Sequence, residues 1–159
     1  MKVDSIIAPV HKSLLKMELT EARFLRSTNK GHNEIYIVDA HNSPNVMWEI
    51  GRLREIAFRT SGGGTGKSAD TMEEPCQQLI VWNPEAEEII GGYRFLLGEN
   101  MKMDKNGVPR IAMSHMFGYS QEFLKEKLPY TLELGRSFVS VEYQSTKAGV
   151  KALYALDNL

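Results

Sequence analysis

Residues 78–97 constrain the fold more than any other stretch of the chain. Gln78-Leu79-Ile80-Val81-Trp82 is an apolar run rich in β-formers, and Ile89-Ile90-Gly91-Gly92-Tyr93-Arg94-Phe95-Leu96-Leu97 is a second. Between them stands Asn83-Pro84-Glu85-Ala86-Glu87. Asn and Pro favour a turn, and a loop of this length suits a hairpin, so the two runs are expected to pair antiparallel.

Other elements arrange themselves around this hairpin. Residues 1–33 read as an amphipathic arm, with Leu14, Leu15, Met17, Leu19, Phe24 and Leu25 as its apolar content. Ile35-Tyr36-Ile37-Val38 is a short β-branched strand. Ser43-Pro44 is a helix start, a hydroxyl N-cap followed by proline at the first helical position. Val46, Ile50, Leu53 and Ala57 follow at helical spacing, predicting a helix over 44–59 with one core face. The glycine run 62–66 ends it and opens a flexible loop to about Pro75. Asn106-Gly107 is a further turn, Ser120 to Leu128 a short helix stopped by Pro129, Thr131 to Val139 a strand, and Ser145 to Leu159 a helical pattern. The order predicts a mixed α/β fold. The apolar pattern stops at Leu159 with no terminating residue, so a continuation with further strands is expected.

The chain has 159 residues, 42% of them hydrophobic and 25% charged. One core suffices at this size, so residues 1–159 are read as a single domain. A net charge of −1 argues against a dedicated nucleic-acid binder. The single cysteine, Cys76, excludes an internal disulfide and a cysteine metal cage, and four unclustered histidines suggest no metal. No apolar run reaches the length needed to span a bilayer, and Met1-Lys2-Val3-Asp4 does not begin a signal peptide. The chain therefore reads as cytoplasmic, with peripheral contact at the inner membrane left open.

Three motifs carry chemical content. Gly62-Gly63-Gly64-Thr65-Gly66-Lys67-Ser68 resembles a nucleotide phosphate loop, but Ser61 stands where that motif needs glycine and a helix precedes it, so it is read as a plain loop. Thr131 to Val139 places Glu133 and Arg136 on opposite faces of a regular strand. A bulge at Gly135 would bring them together and free backbone N–H groups, an arrangement suited to acyl transfer; a structural ion pair is the plainer alternative. Arg52, Arg54 and Arg59 beside the glycine run could hold an anion or line a solvated helix face.

Glu133-Leu134-Gly135-Arg136-Ser137-Phe138-Val139 with Glu142-Tyr143-Gln144 resembles the signature strand of the GNAT-fold, acyl-carrier-protein-dependent N-acyltransferases, which include the ornithine-lipid synthase (hemolysin-like) enzymes. Gly91-Gly92-Tyr93-Arg94 resembles the family's Gly-x-Arg strand, and Arg54 with Phe58 its Arg-x-x-x-Phe helix. Residues 49–60 with the glycine run are similar to the branch that makes glycine lipids in Bacteroides-type bacteria. The resemblance implies a GNAT-like mixed sheet flanked by helices. It implies transfer of a 3-hydroxyacyl group from the phosphopantetheine of acyl carrier protein to the amine of a small amino acid, glycine or ornithine, in aminolipid synthesis.

By this likeness Glu133 would orient or deprotonate the amine, and Arg136 would support it or bind a carboxylate or phosphate. Arg54, Phe58 and Arg94 would hold the acceptor or brace the site. Backbone N–H groups at Ser137, Phe138 and Val139 would polarise the thioester carbonyl. Gln144 and Lys147 fall where relatives bind the donor phosphate. Lys147 replaces the first glycine of the pyrophosphate loop, which favours a carrier protein over acyl-coenzyme A. Asp70, followed by Met72-Glu73-Glu74, is what remains of an acidic stretch that relatives carry after the glycine run. No bound cofactor is implied. Lys125, Lys127, Lys147 and Lys151 either meet an acidic carrier or form a solvated face. An acetyl-coenzyme A enzyme and a non-catalytic carrier-binding module are the alternatives.

Overall fold

The computed structural model describes residues 3–71 and 75–144. Its described elements are α1 (Lys12–Glu18), β1 (Phe24–Ser27), β2 (Glu34–Val38), α2 (Pro44–Thr60), β3 (Gln77–Asn83), β4 (Glu88–Leu97) and β5 (Leu132–Val139), joined by short helical turns. The five strands form one sheet in the order β1-β2-β3-β4-β5, and every pairing is antiparallel. This is a GNAT-like α/β arrangement. The 145–159 helical pattern lies outside the described residues.

The hairpin forms where the sequence places it. Asn83 Oδ1 accepts from the N–H groups of Glu85 and Ala86, closing the turn between β3 and β4. The N-terminal arm is more structured than expected: it resolves into α1, a turn over Glu21–Arg23, and the edge strand β1. All four residues of β1 are exposed, so the strand carries no alternation to betray it.

Both helices pack on one face of the sheet. Leu15 and Leu19 of the α1 region, Val46, Ile50 and Ala57 of α2, and Tyr36, Val38, Ile80, Trp82 and Phe138 of the strands make one core. Leu96, Met101 and Leu128 make a satellite core, against which Cys76, Ile111 and Phe123 pack.

The start of α2 is correctly placed, but its cap is not the predicted hydroxyl. Ser43 makes no side-chain cap; its hydroxyl donates to Asn42 Oδ1. The carboxylate of Glu18 accepts from the N–H groups of Asn45 (3.1 Å) and Val46 (2.9 Å) instead. A carboxylate at a helix N-terminus satisfies unpaired donors and complements the helix dipole.

The segment before β5 is a wide turn over Phe123–Lys127 followed by a tight one over Leu128–Tyr130. Pro129 thus sits inside the last turn rather than stopping a helix at Leu128. Early in a turn its missing N–H costs nothing.

Candidate active site

The site begins on α2. Val46, Ile50, Arg54 and Ala57 share its core-facing stripe, so Arg54 is carried into the interior, where it is fully buried. A buried guanidinium needs an anion. Gly51, one turn earlier, supplies the room: its carbonyl accepts from the Asp70 N–H at 3.0 Å, and a Cβ there would stand 3.0 Å from the Asp70 carbonyl. The chain after the glycine run therefore closes against the helix. Arg54 Nε donates to Asp70 Oδ2 and Arg54 Nη2 to the Asp70 carbonyl, each at 2.6 Å. Burial pushes the Arg54 pKa down, Asp70 opposes this, and Arg136 and Arg94 add to it.

Asp70 also receives Arg136, whose Nη1 donates to both carboxylate oxygens. Arg136 reaches it through a bulge. Gly92 pairs with Phe138 and Arg94 with Gly135, so Arg136 and Ser137 together oppose Tyr93. The extra residue lies just after Gly135 rather than at it, and Arg136 itself takes the left-handed backbone conformation at φ 50°. Gly135 serves another purpose: a Cβ there would stand 3.0 Å from Arg94 Nη2, so the glycine makes room for that guanidinium. Arg94 Nη2 in turn donates to Glu133 Oε1 at 3.1 Å.

The result is a floor of Arg94, Glu133, Asp70 and Arg136 beneath a cleft of about 670 Å³. One wall carries Thr65 and Lys67. The other carries Val108, Pro109, Arg110, Ile111, Ala112 and His115, with Cys76 and Leu96 adding apolar surface. Among the described residues Arg54, Arg94 and Arg136 pair with Asp70 and Glu133, three cations to two carboxylates. Glu133 Oε2 has no partner among the described residues. The arrangement can accept a proton at Glu133, hold an anionic group beside the arginines and seat an apolar chain along the Leu96–Ile111 wall. Burial pushes the Cys76 thiol up, so it stays protonated rather than nucleophilic. Among the described residues no group of His, Cys, Asp or Glu is arranged to hold a metal.

The sequence-predicted residues divide. Glu133, Arg94 and Arg136 meet at the cleft, and Arg54 stands beneath it through Asp70. Phe58, Ser137, Phe138, Val139 and Gln144 do not line it. Phe138 is a core residue on the helix-covered face. Gln144 Nε2 donates to the Val139 carbonyl at 2.6 Å. Lys147 lies outside the described residues. The segment 104–115, which supplies a whole wall, gave no sign in sequence beyond its Asn106-Gly107 turn.

The end of the glycine run is tied to α2, and the Thr65 and Gly66 donors are taken rather than free for a phosphate. Thr65 N–H, Thr65 Oγ1 and Gly66 N–H all donate to the buried Glu55 carboxylate, as does Arg59 Nε. Burial alone would raise the Glu55 pKa, but these donors hold it at about 2. Nor do the three helix arginines form an anion site: Arg52 pairs with Glu49, Arg54 with Asp70 and Arg59 with Glu55.

Residues 53–154 match the acetyltransferase (GNAT) domain family. The chain is 62% identical to a glycine N(alpha)-acyltransferase of Phocaeicola vulgatus, over 99% of its own length and 50% of that protein. It is 64% identical to a glycine N(alpha)-acyltransferase of Bacteroides thetaiotaomicron, over 99% of its length and 48% of that protein. The chain thus spans about half the length of these curated relatives. No solved structure matches it.

Proposed function

The chain belongs to the GNAT acetyltransferase-domain family, and on that premise we propose that it carries the acceptor site of an N-acyltransferase that moves an acyl group from acyl carrier protein to glycine. The observation that supports this most is the Arg94–Glu133 pair on the cleft floor. Glu133 takes a proton from the glycine ammonium. The freed amine attacks the thioester carbonyl, the C–S bond breaks, and the nitrogen passes its second proton to the departing phosphopantetheine thiolate, leaving an amide and a free thiol. Arg94 holds Glu133 in place, and the excess positive charge beside Arg136 receives the glycine carboxylate. The Leu96–Ile111 wall receives the start of the acyl chain, a 3-hydroxyacyl group in this reading, and the product is an aminolipid precursor made in the cytoplasm at the membrane's edge.

Glycine is preferred to ornithine as acceptor because both relatives bear its name. The ornithine-lipid (hemolysin-like) branch is the wider kinship proposed. The second reading is an acetyl-coenzyme A-type N-acetyltransferase, since the matching family is described as an acetyltransferase domain.

The test is a mass-spectrometric assay of the full protein with 3-hydroxyacyl carrier protein or acyl-coenzyme A, offered glycine and ornithine. Product from the carrier and glycine, lost in Glu133→Gln, is the expected result. Product from coenzyme A alone reassigns the donor. No product from either donor, with an intact fold, leaves a non-catalytic module.

A further inference from the structure

The wall of the cleft formed by residues 101–117 has an outer side. The segment is anchored by Met101 and Ile111 in the satellite core and closed on itself by pairing of Met103 with Pro109. The Arg110 N–H donates to the Lys102 carbonyl at 2.8 Å. From this rigid base it presents Met103, Met113, Met116 and Phe117 to solvent, exposed by 43%, 41%, 68% and 57%. Lys102 and Lys105 are exposed among them, while Arg110 lines the cleft. The one acid of the segment, Asp104, lines the cleft, its Oδ1 accepting from the N–H groups of Asn106 and Val108.

Large apolar side chains clustered on a surface mark an interaction site, and the surplus of cations selects an anionic partner. None of the four apolar residues lines the cleft, so they form no part of its shaped cavity. A fluid acyl layer needs no shaped seat. Methionine adapts to such surroundings, while lysine stems lie along the apolar zone with their charges at the headgroups. We propose that residues 101–117 are a membrane-contact surface that seats the mouth of the cleft on an anionic lipid bilayer. Interfacial binding of this kind joins shallow apolar insertion to attraction by anionic headgroups. The inference stands on the surface alone and does not depend on the acyl-transfer reading.

The experiment is sedimentation of the full protein with phosphatidylglycerol–phosphatidylcholine vesicles and with phosphatidylcholine vesicles. Binding is expected to the anionic vesicles and to weaken with salt. Met116→Glu with Phe117→Glu weakens it at least about tenfold, since two buried apolar side chains are replaced by repelled charges. Lys102→Gln and Lys105→Gln weaken it about fivefold each. Circular dichroism of the variants stays that of the parent, because the altered side chains are exposed. Failure of the parent to bind anionic vesicles overturns the proposal, as does binding that both sets of variants leave unchanged. Variants that alter only the affinity for an acidic carrier, or only the oligomeric state, also overturn it and give the surface to a protein.

Discussion

The guanidinium of Arg94 lies over the bare backbone of Gly135 and from there donates to Glu133 at 3.1 Å. The two residues sit on neighbouring antiparallel strands, with Arg94 directly opposite Gly135 and Glu133 two residues further along the same face. The geometry of the candidate base thus depends on the absence of one methyl group.

Gly135→Ala tests this dependence. The new Cβ would meet the mobile end of Arg94 at 3.0 Å rather than backbone, so Arg94 moves while the strand holds. Stability is expected to change by no more than about 1 kcal/mol, while turnover falls on the order of a hundredfold, as when a general base is mispositioned. Urea unfolding beside steady-state kinetics separates the two. Equal loss of stability and activity would reject the positioning role.

Asp70→Asn removes the shared anion of Arg54 and Arg136. Arg54 is fully buried, so its uncompensated charge should cost about 3–5 kcal/mol. The urea midpoint reports this directly. Arg136→Gln should cost much less, because that side chain is 39% exposed.

Glu55 predicts a pH dependence. Its pKa is depressed from 4.5 to about 2 in the folded chain, so the ionised form is bound more tightly by the native state. The resulting stability, at most about 3 kcal/mol, is fully present above pH 4.5 and is lost as pH falls toward 2. Glu55→Gln should be less stable at neutral pH and show a flatter urea-midpoint profile between pH 5 and 2. An unchanged slope would refute the assignment.

Glu18→Ala should cost about 1–2 kcal/mol through loss of the α2 cap. Ser43→Ala should cost less, since its hydroxyl caps nothing. Thermal unfolding of the two variants orders them, and the reverse order would return the cap to Ser43.

The sequence by itself determined the hairpin, the span of α2 and the strand over Leu132–Val139, because these rest on local rules, while Glu133, Arg94 and Arg136 were singled out by family resemblance. Alternation, turn chemistry and helical spacing act within a few residues of chain. Tertiary structure decided what those residues touch. Asp70 reaches Arg54 from 16 residues away and Arg136 from 66, and only the closure of the chain over Gly51 makes it their common anion. Glu18 caps a helix 27 residues downstream, and Glu55 ties down a loop that composition alone reads as flexible. Buried charge must find its partner through space, and a lone acid in a loop carries no local mark of the cation it will meet.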